Sequence, residues 1–261
     1  MLASAWRYRR FIASSIRADF QARFARSRVG LLWIIAQPLA QVAIFSFVLS
    51  GLLATRIPNV SGPYAYVIYL MAGTLCWSLF SDVVSRCLAI FIDSGNLIKK
   101  IAFPRVSLPL IVTGIAFVNN AALFIVVACA AALLGYPLSI HYVWLPVLVL
   151  LTVALATGLG IICGTLNVFS RDVGQVVPVL LQLLFWMTPI VYMPSILPEA
   201  FQQWIAWNPL AAIVESYQDV ILFARSPAWD RLLPAAVLSA VLLAVALGLF
   251  RRAASEMPDV L

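Results

Sequence analysis

Polar positions are sparse along this chain and fall in clusters, with long apolar stretches between them. In the first cluster Arg7, Arg10, Ser14, Arg17, Gln21 and Arg28 recur at helical spacing and make one stripe within residues 5–28. Tyr8, Phe11, Ile12, Ile16, Phe20 and Phe24 cover much of the remaining surface, interrupted by Asp19 and Arg23. The pattern predicts a helix lying at a membrane surface. An ordinary basic flank to the first span fits it as well. Six stretches of spanning length follow. They run from about Leu31 to Ala54, Tyr64 to Ile92, Val106 to Leu134, Tyr142 to Val168, Val173 to Tyr192 and Leu232 to Phe250. Pro38 lies in the first, flanked by Gln37 and Gln41.

The stretch between the last two spans, residues 188–223, breaks the pattern. Pro189, Pro194, Pro198 and Pro209 divide it, so it is no single straight span. It is nevertheless too apolar and too rich in tryptophan for a free aqueous loop. Asn208-Pro209 reads as a helix start, with asparagine as N-cap and proline as the first helical residue. Two short helices that dip into the membrane and return account for the pattern. Such breaks survive at membrane depth only where protein or a water-filled cavity surrounds them.

Composition fixes the solvent. Of 261 residues, 64% are apolar and only 10% charged, against about 25% charged in a soluble domain. The bilayer must cover that apolar surface. The formal charge of +7 does not point to nucleic acid, because the basic residues sit between spans and at the ends. The Arg-rich start does not read as a cleavable signal peptide, since its apolar run begins only after Arg28 and is of spanning length. Cys76, Cys87, Cys129 and Cys163 lie in apolar segments without CxxC or metal-ligand spacing and read as small buried hydrophobes.

Charge then sets orientation. With six spans both termini share a side. That side carries the seven arginines from Arg7 to Arg28 together with Lys99, Lys100, Arg105, Arg171, Arg251 and Arg252. The opposite side has Arg56, Arg225 and Arg231. The asymmetry makes the termini cytoplasmic.

Much chemistry is excluded. No GxxxxGK[ST] occurs, so the chain cannot cradle nucleotide phosphates through a P-loop. His141 is the only histidine, which rules out a His-based triad or a multi-His metal site. Asp82 and Arg86, four apart, read as a local pair rather than a proton relay. Glu215 and Asp219 stack one turn apart, either flanking a site or solvated at the interface.

The stretch GNLIKKIAFPR, residues 95–105, resembles the cytoplasmic loop of type-2 ATP-binding-cassette permeases of the polysaccharide-exporting branch. The matching positions are Asn96, Leu97, Ile98, Lys99, Lys100, Phe103, Pro104, Arg105 and Pro109. IRADFQARFARSRVGLLWIIAQPL is similar to the family's entry pattern at Arg17, Asp19, Arg23, Ser27, Gly30, Trp33 and Pro38, although Phe24 stands where a tyrosine is common. NVFSRDVGQVVPVLLQLLFWMTPIVY and NPLAAIVESYQDVILF resemble its fifth span and outer hairpin. The likeness covers nearly the whole chain.

The resemblance implies an all-α polytopic membrane protein with one permease domain over 1–261. Within it are an amphipathic interface helix at 1–30, a cytoplasmic coupling loop at 94–106 and a re-entrant outer hairpin at 188–223. It implies the membrane half of an O-antigen, capsule or teichoic-acid exporter in the bacterial plasma (inner) membrane. A second copy and two separate ATPase subunits would complete it, with a lipid-linked polysaccharide as cargo and membrane lipids around it. No cofactor is expected in this chain; Mg-ATP would bind the partner ATPase.

In that setting Leu97, Ile98 and Ile101 would anchor a short helix in a cleft of the ATPase. Lys99, Lys100 and Arg105 would pair with acidic groups or lipid phosphates, and Pro104 would end the helix sharply. The alternative is that the basic residues only fix topology. Pro194, Pro198, Pro209, Glu215 and Asp219 are expected at an outer gate. Trp77 and Trp186 fall near the middle of spans rather than in an interfacial belt. With Phe80 and Phe185 they are candidate channel-lining rings for a sugar chain, against the alternative that they pack between helices or against lipid. A type-2 permease for a drug or lipid, or an enzyme acting on lipid-linked sugars through Glu215 and Asp219, are the rival readings.

Overall fold

The computed structural model describes residues 9–26, 30–53, 64–95, 107–136, 138–253 and 257. Among them the elements are helices, in the order α1 (Arg9–Arg26), α2 (Gly30–Leu53), α3 (Ala65–Asp93), α4 (Ser107–Leu133), α5 (Leu145–Phe169), α6 (Asp172–Met187), α7 (Glu199–Ala206), α8 (Pro209–Ile221) and α9 (Trp229–Ala253). Short 3-10 turns at Ile140–Trp144 and Pro194–Ile196 precede α5 and α7. In α3, α4, α9 and the stretch Ile140–Phe169 the chain is long and apolar enough to cross a membrane; the described apolar part of α2, Ile35–Val48, and α6 are shorter.

The bundle is organised around α3. Helices α2, α4, α5, α6 and α8 all pack on it, and α5 carries α9 on its far side. Tight packing of α5 against α3 depends on small residues, since hydrocarbon offers no hydrophobic drive to press helices together. Gly160 and Gly164 stand four apart on the α3-facing side of α5; a Cβ at Gly160 would lie 2.7 Å from Cys87 Cβ, and one at Gly164 would strike the Cys87 carbonyl. Below that crossing Phe91 stacks on Phe250 at 5.2 Å, which ties α3 to α9. Cys76 and Cys87 are buried as expected, whereas Cys129 faces outward from α4.

The helix at the expected fifth span ends earlier than hydropathy predicts. Helix α6 stops at Met187, and residues 188–193 run irregularly. Pro189 offers no backbone N–H and disfavours helical backbone at Thr188, and Thr188 Oγ1 donates back to the Leu184 carbonyl at 2.7 Å. The apolar residues that follow are buried without being helical, because α3 holds them. Tyr66 donates to the Val191 carbonyl at 2.8 Å. Tyr69 shares its one hydroxyl proton between the carbonyls of Pro189 at 3.1 Å and Tyr192 at 2.9 Å. Gln218 of α8 also donates to Pro189, at 3.0 Å. Each such bond contributes about 1 kcal/mol net, and together they satisfy carbonyls that a membrane interior would otherwise leave bare.

Candidate functional site

One face of α3 is polar at helical spacing. Thr74, Ser78, Ser81, Asp82, Ser85 and Arg86 run down it over roughly 18 Å of helix, and Gln37 and Gln41 of α2 and Asn119 and Asn120 of α4 face the same hollow of about 500 Å³. Arg86 Nε donates to Asp82 Oδ1 at 2.6 Å, which is the i,i+4 pair expected from sequence. Asn119 Nδ2 donates to the other carboxylate oxygen at 3.2 Å. The two charges therefore cancel beside neutral hydrogen-bonding groups. Ser78 and Ser81 donate their hydroxyls back to the carbonyls of Leu75 and Trp77, which leaves oxygen lone pairs available toward the hollow. The Asn119 Oδ1 is buried without a hydrogen bond.

A second hollow of about 480 Å³ adjoins the first and shares Gln41, Trp77, Ser81 and Ser85 with it. Its far wall is aromatic and comes from α2 and α6. Trp77 meets Phe185 edge-on at 5.3 Å, and Phe185 meets Trp186 edge-on at 5.5 Å. Phe45 of α2 stacks on Phe185 and touches Trp186 edge-on, both at 6.0 Å. Trp77, Phe185 and Trp186 thus come together from segments 108 residues apart, and all three line the hollow. Phe80 does not. It packs against Trp77 at 5.8 Å but is only 2% exposed, in the core beneath. Phe45 was missed by sequence reading because nothing local sets it apart from other apolar residues of its span. The stripe of Ser78, Ser81 and Ser85 did carry a signal, polar residues recurring every three or four positions in a span.

Of the prolines in residues 188–223, Pro194, Pro198 and Pro209 stand at the starts of short helical segments. Pro194 opens a 3-10 turn, Pro198 precedes α7, and Asn208 caps α8 by accepting from the Leu210 N–H at 3.0 Å, with Pro209 first in the helix. Asn208 also donates to Thr188 Oγ1 at 3.0 Å, closing the hairpin on the end of α6. Glu215 finds a long-range partner rather than a neighbour on α8: Arg231 of α9 donates to its Oε2 at 3.0 Å. Asp219 gives its backbone carbonyl to the Arg225 N–H. Exposed Phe201, Trp204 and Trp207 cluster on and just after α7. The expected coupling residues Asn96, Leu97, Ile98, Lys99, Lys100, Ile101, Phe103, Pro104 and Arg105 lie outside the described residues, as do residues 1–8 of the amphipathic segment. Within α1, Arg10 and Arg17 are exposed while Ile12 and Ile16 are partly covered, and Ile16 reaches Gly114 of α4. Among the described residues no group of His, Cys, Asp and Glu could hold a metal ion.

Residues 11–222 match the family model for ABC-2 type transporters. The chain is 31% identical over 208 residues to an O-antigen export system permease protein, RfbA, of Klebsiella pneumoniae, which covers 78% of this chain and 77% of that one. It is 28% identical over 259 residues to the protein of the same name from Myxococcus xanthus, across 97% of this chain and 96% of that one. A polysialic acid transport protein, KpsM, of Escherichia coli is 21% identical over 205 residues, 78% of each chain.

Proposed function

This chain belongs to the ABC-2 type transporter family, and we propose that it is the membrane subunit of an ATP-driven polysaccharide exporter. It is a multi-pass integral membrane protein and a transport subunit rather than an enzyme, with ATP bound by separate partner subunits. The names of its relatives favour a glycan over a drug or a simple lipid.

The finer reading is an O-antigen type of cargo carried on a lipid, moved across the bacterial plasma membrane by two copies of this chain with two ATPases beneath. The cytoplasmic placement of both termini rests on the thirteen-to-three distribution of basic residues. Residues 94–106 would be the coupling loop, with Leu97, Ile98 and Ile101 seated in the ATPase. Residues 188–223 would form the outer gate, hinged about its prolines.

The observation that carries the reading is the polar and aromatic face shared by the two adjoining hollows. A sugar presents hydroxyls around its rim and C–H groups on its faces. The serines, glutamines and Asn119 offer donors and acceptors to the rim, and Trp77, Phe185 and Trp186 offer rings to the faces. Because the lining charges cancel, the wall grips no unit tightly, and a chain can exchange one set of contacts for the next. Two copies facing each other across α2 and α6, whose outward sides expose Ile44, Phe47, Val179 and Leu183, would enclose such a path.

Deleting the gene in its own bacterium and restoring it with the wild-type chain tests this. Without the chain the surface polysaccharide should vanish and accumulate inside the cell, and restoration should reverse both changes. Restoration with Ile98→Asp should fail at normal membrane abundance, because a charge replaces an anchor whose burial is worth about 1.5–3 kcal/mol. Undiminished surface polysaccharide in the deletion strain would overturn the reading, and full rescue by Ile98→Asp would overturn the coupling role alone.

A further inference from the structure

Helices α4 and α5 both pack on α3 but diverge from each other, leaving a fissure of about 430 Å³ between them. Its floor is Leu75, Asn120, Leu145 and Tyr217, and its rims include Phe117 and Leu150, both well exposed on the outer surface of the bundle. The fissure is separate from the polar hollow on the other side of the α3–α4 contact; Asn120 alone lines both. That residue spends its amide donors on the Leu75 carbonyl at 2.8 Å and Ser78 Oγ at 3.4 Å, so it closes one space from the other.

We infer that this fissure holds one acyl chain of a bilayer phospholipid, whose ester carbonyl accepts a hydrogen bond from the Tyr142 hydroxyl. Three observations carry the assignment. Apart from Asn120 and two tyrosine hydroxyls the lining is apolar, so water gains too few partners to stay there, while its mouth opens between two membrane-crossing segments onto hydrocarbon. The space is elongated: it follows α4 from Phe117 to Phe124, about 10 Å of helix, between the apolar side chains of α4 and α5, the shape of a hydrocarbon chain lying along the bundle.

The third observation gives the chain its identity. Tyr142 sits in the 3-10 turn just before α5, where Trp144 and Trp229 pair edge-on at 4.8 Å in the manner of an interfacial belt. Its ring leans on Phe124 of α4 at 6.4 Å and closes the end of the fissure. Its hydroxyl is buried and has no hydrogen-bond partner, a condition that is costly unless an acceptor arrives. A phospholipid brings an ester carbonyl to that depth, between head group and tail. An isoprenoid carrier has a tail but no ester there.

Photolabelling of the full chain in vesicles of phosphatidylethanolamine and phosphatidylglycerol, doped with a phosphatidylcholine bearing a diazirine midway along one acyl chain, tests the assignment. Adducts on Phe117, Ala121 and Leu150 should exceed severalfold those on Val237, Val241 and Val245, which face outward on α9. Tyr142→Phe keeps the ring and removes only the hydroxyl, and labelling of the fissure should fall. Ala121→Trp should lower it to the level of α9. Labelling no higher than on α9, or unchanged labelling in Tyr142→Phe, would overturn the assignment. So would preferential labelling by a diazirine-bearing polyprenyl phosphate, which would make the fissure a seat for a cargo carrier instead.

Discussion

The two spaces that meet at Asn120 are nearly equal in size, about 500 Å³ and 430 Å³, and opposite in character. One side of the α3–α4 contact carries serines, amides and a neutral ion pair, with tryptophans beside it. The other carries leucines, phenylalanines and a proline. Inward polar groups in hydrocarbon either bond across to a neighbouring helix or, where they face an open hollow, mark a path for something polar. The fissure is lined as a surface that meets only lipid would be. The comparison therefore separates the two proposals, cargo on the polar side and the bilayer on the apolar side, by one residue, Asn120.

Filling each space in turn should separate them most sharply. Ser81→Trp puts an indole into both adjoining polar hollows and should abolish export, while Ala121→Trp across the contact should leave export within about twofold, a shift of under 0.5 kcal/mol in the rate-limiting barrier. Surface polysaccharide measured at matched membrane abundance reads both. Equal losses in the two variants would remove the distinction.

The next effect is on the ion pair. Asp82→Asn leaves the half-buried Arg86 without its counter-charge and should destabilise the protein by about 1–3 kcal/mol, less than a fully buried pair because both side chains keep some solvent. A lowered unfolding midpoint in detergent checks it; an unchanged midpoint would show that the pair does not hold the wall. Asn120→Leu should do least. It removes two hydrogen bonds between helices of a kind worth about 0.6 kcal/mol on average, so stability should fall by about 1 kcal/mol. A larger loss would mean that Asn120 does more than divide the two spaces.

Much of this organisation was legible before any coordinates. The second span was expected from Tyr64 to Ile92 and the helix runs Ala65–Asp93; the third was expected from Val106 to Leu134 and runs Ser107–Leu133. Asn208-Pro209 opens α8 as its local chemistry dictates. Hydropathy failed at the end of the fifth span, where Ile190 and Val191 are fully or nearly buried yet irregular in backbone. Hydropathy reports burial, and burial at this point comes from Tyr66 and Tyr69, more than a hundred residues earlier. The site divides in the same way. Asp82 with Arg86 is a local pair and was readable. Glu215 with Arg231, Phe45 with Phe185, and the exclusion of Phe80 from the hollow are set by which helices meet, and no local pattern encodes that.

The central claim is that aromatic faces on the polar side carry a sugar chain. It is tested most directly by the Trp77→Leu/Trp186→Leu double variant, assembled with its ATPase and assayed for ATP hydrolysis and polysaccharide export together. Leucine keeps apolar bulk and removes the stacking face. Two ring contacts at about 0.5–1.5 kcal/mol each predict export lowered by roughly 5- to 150-fold, with insertion and hydrolysis retained. Full export by the double variant would contradict a sugar-stacking path along this face.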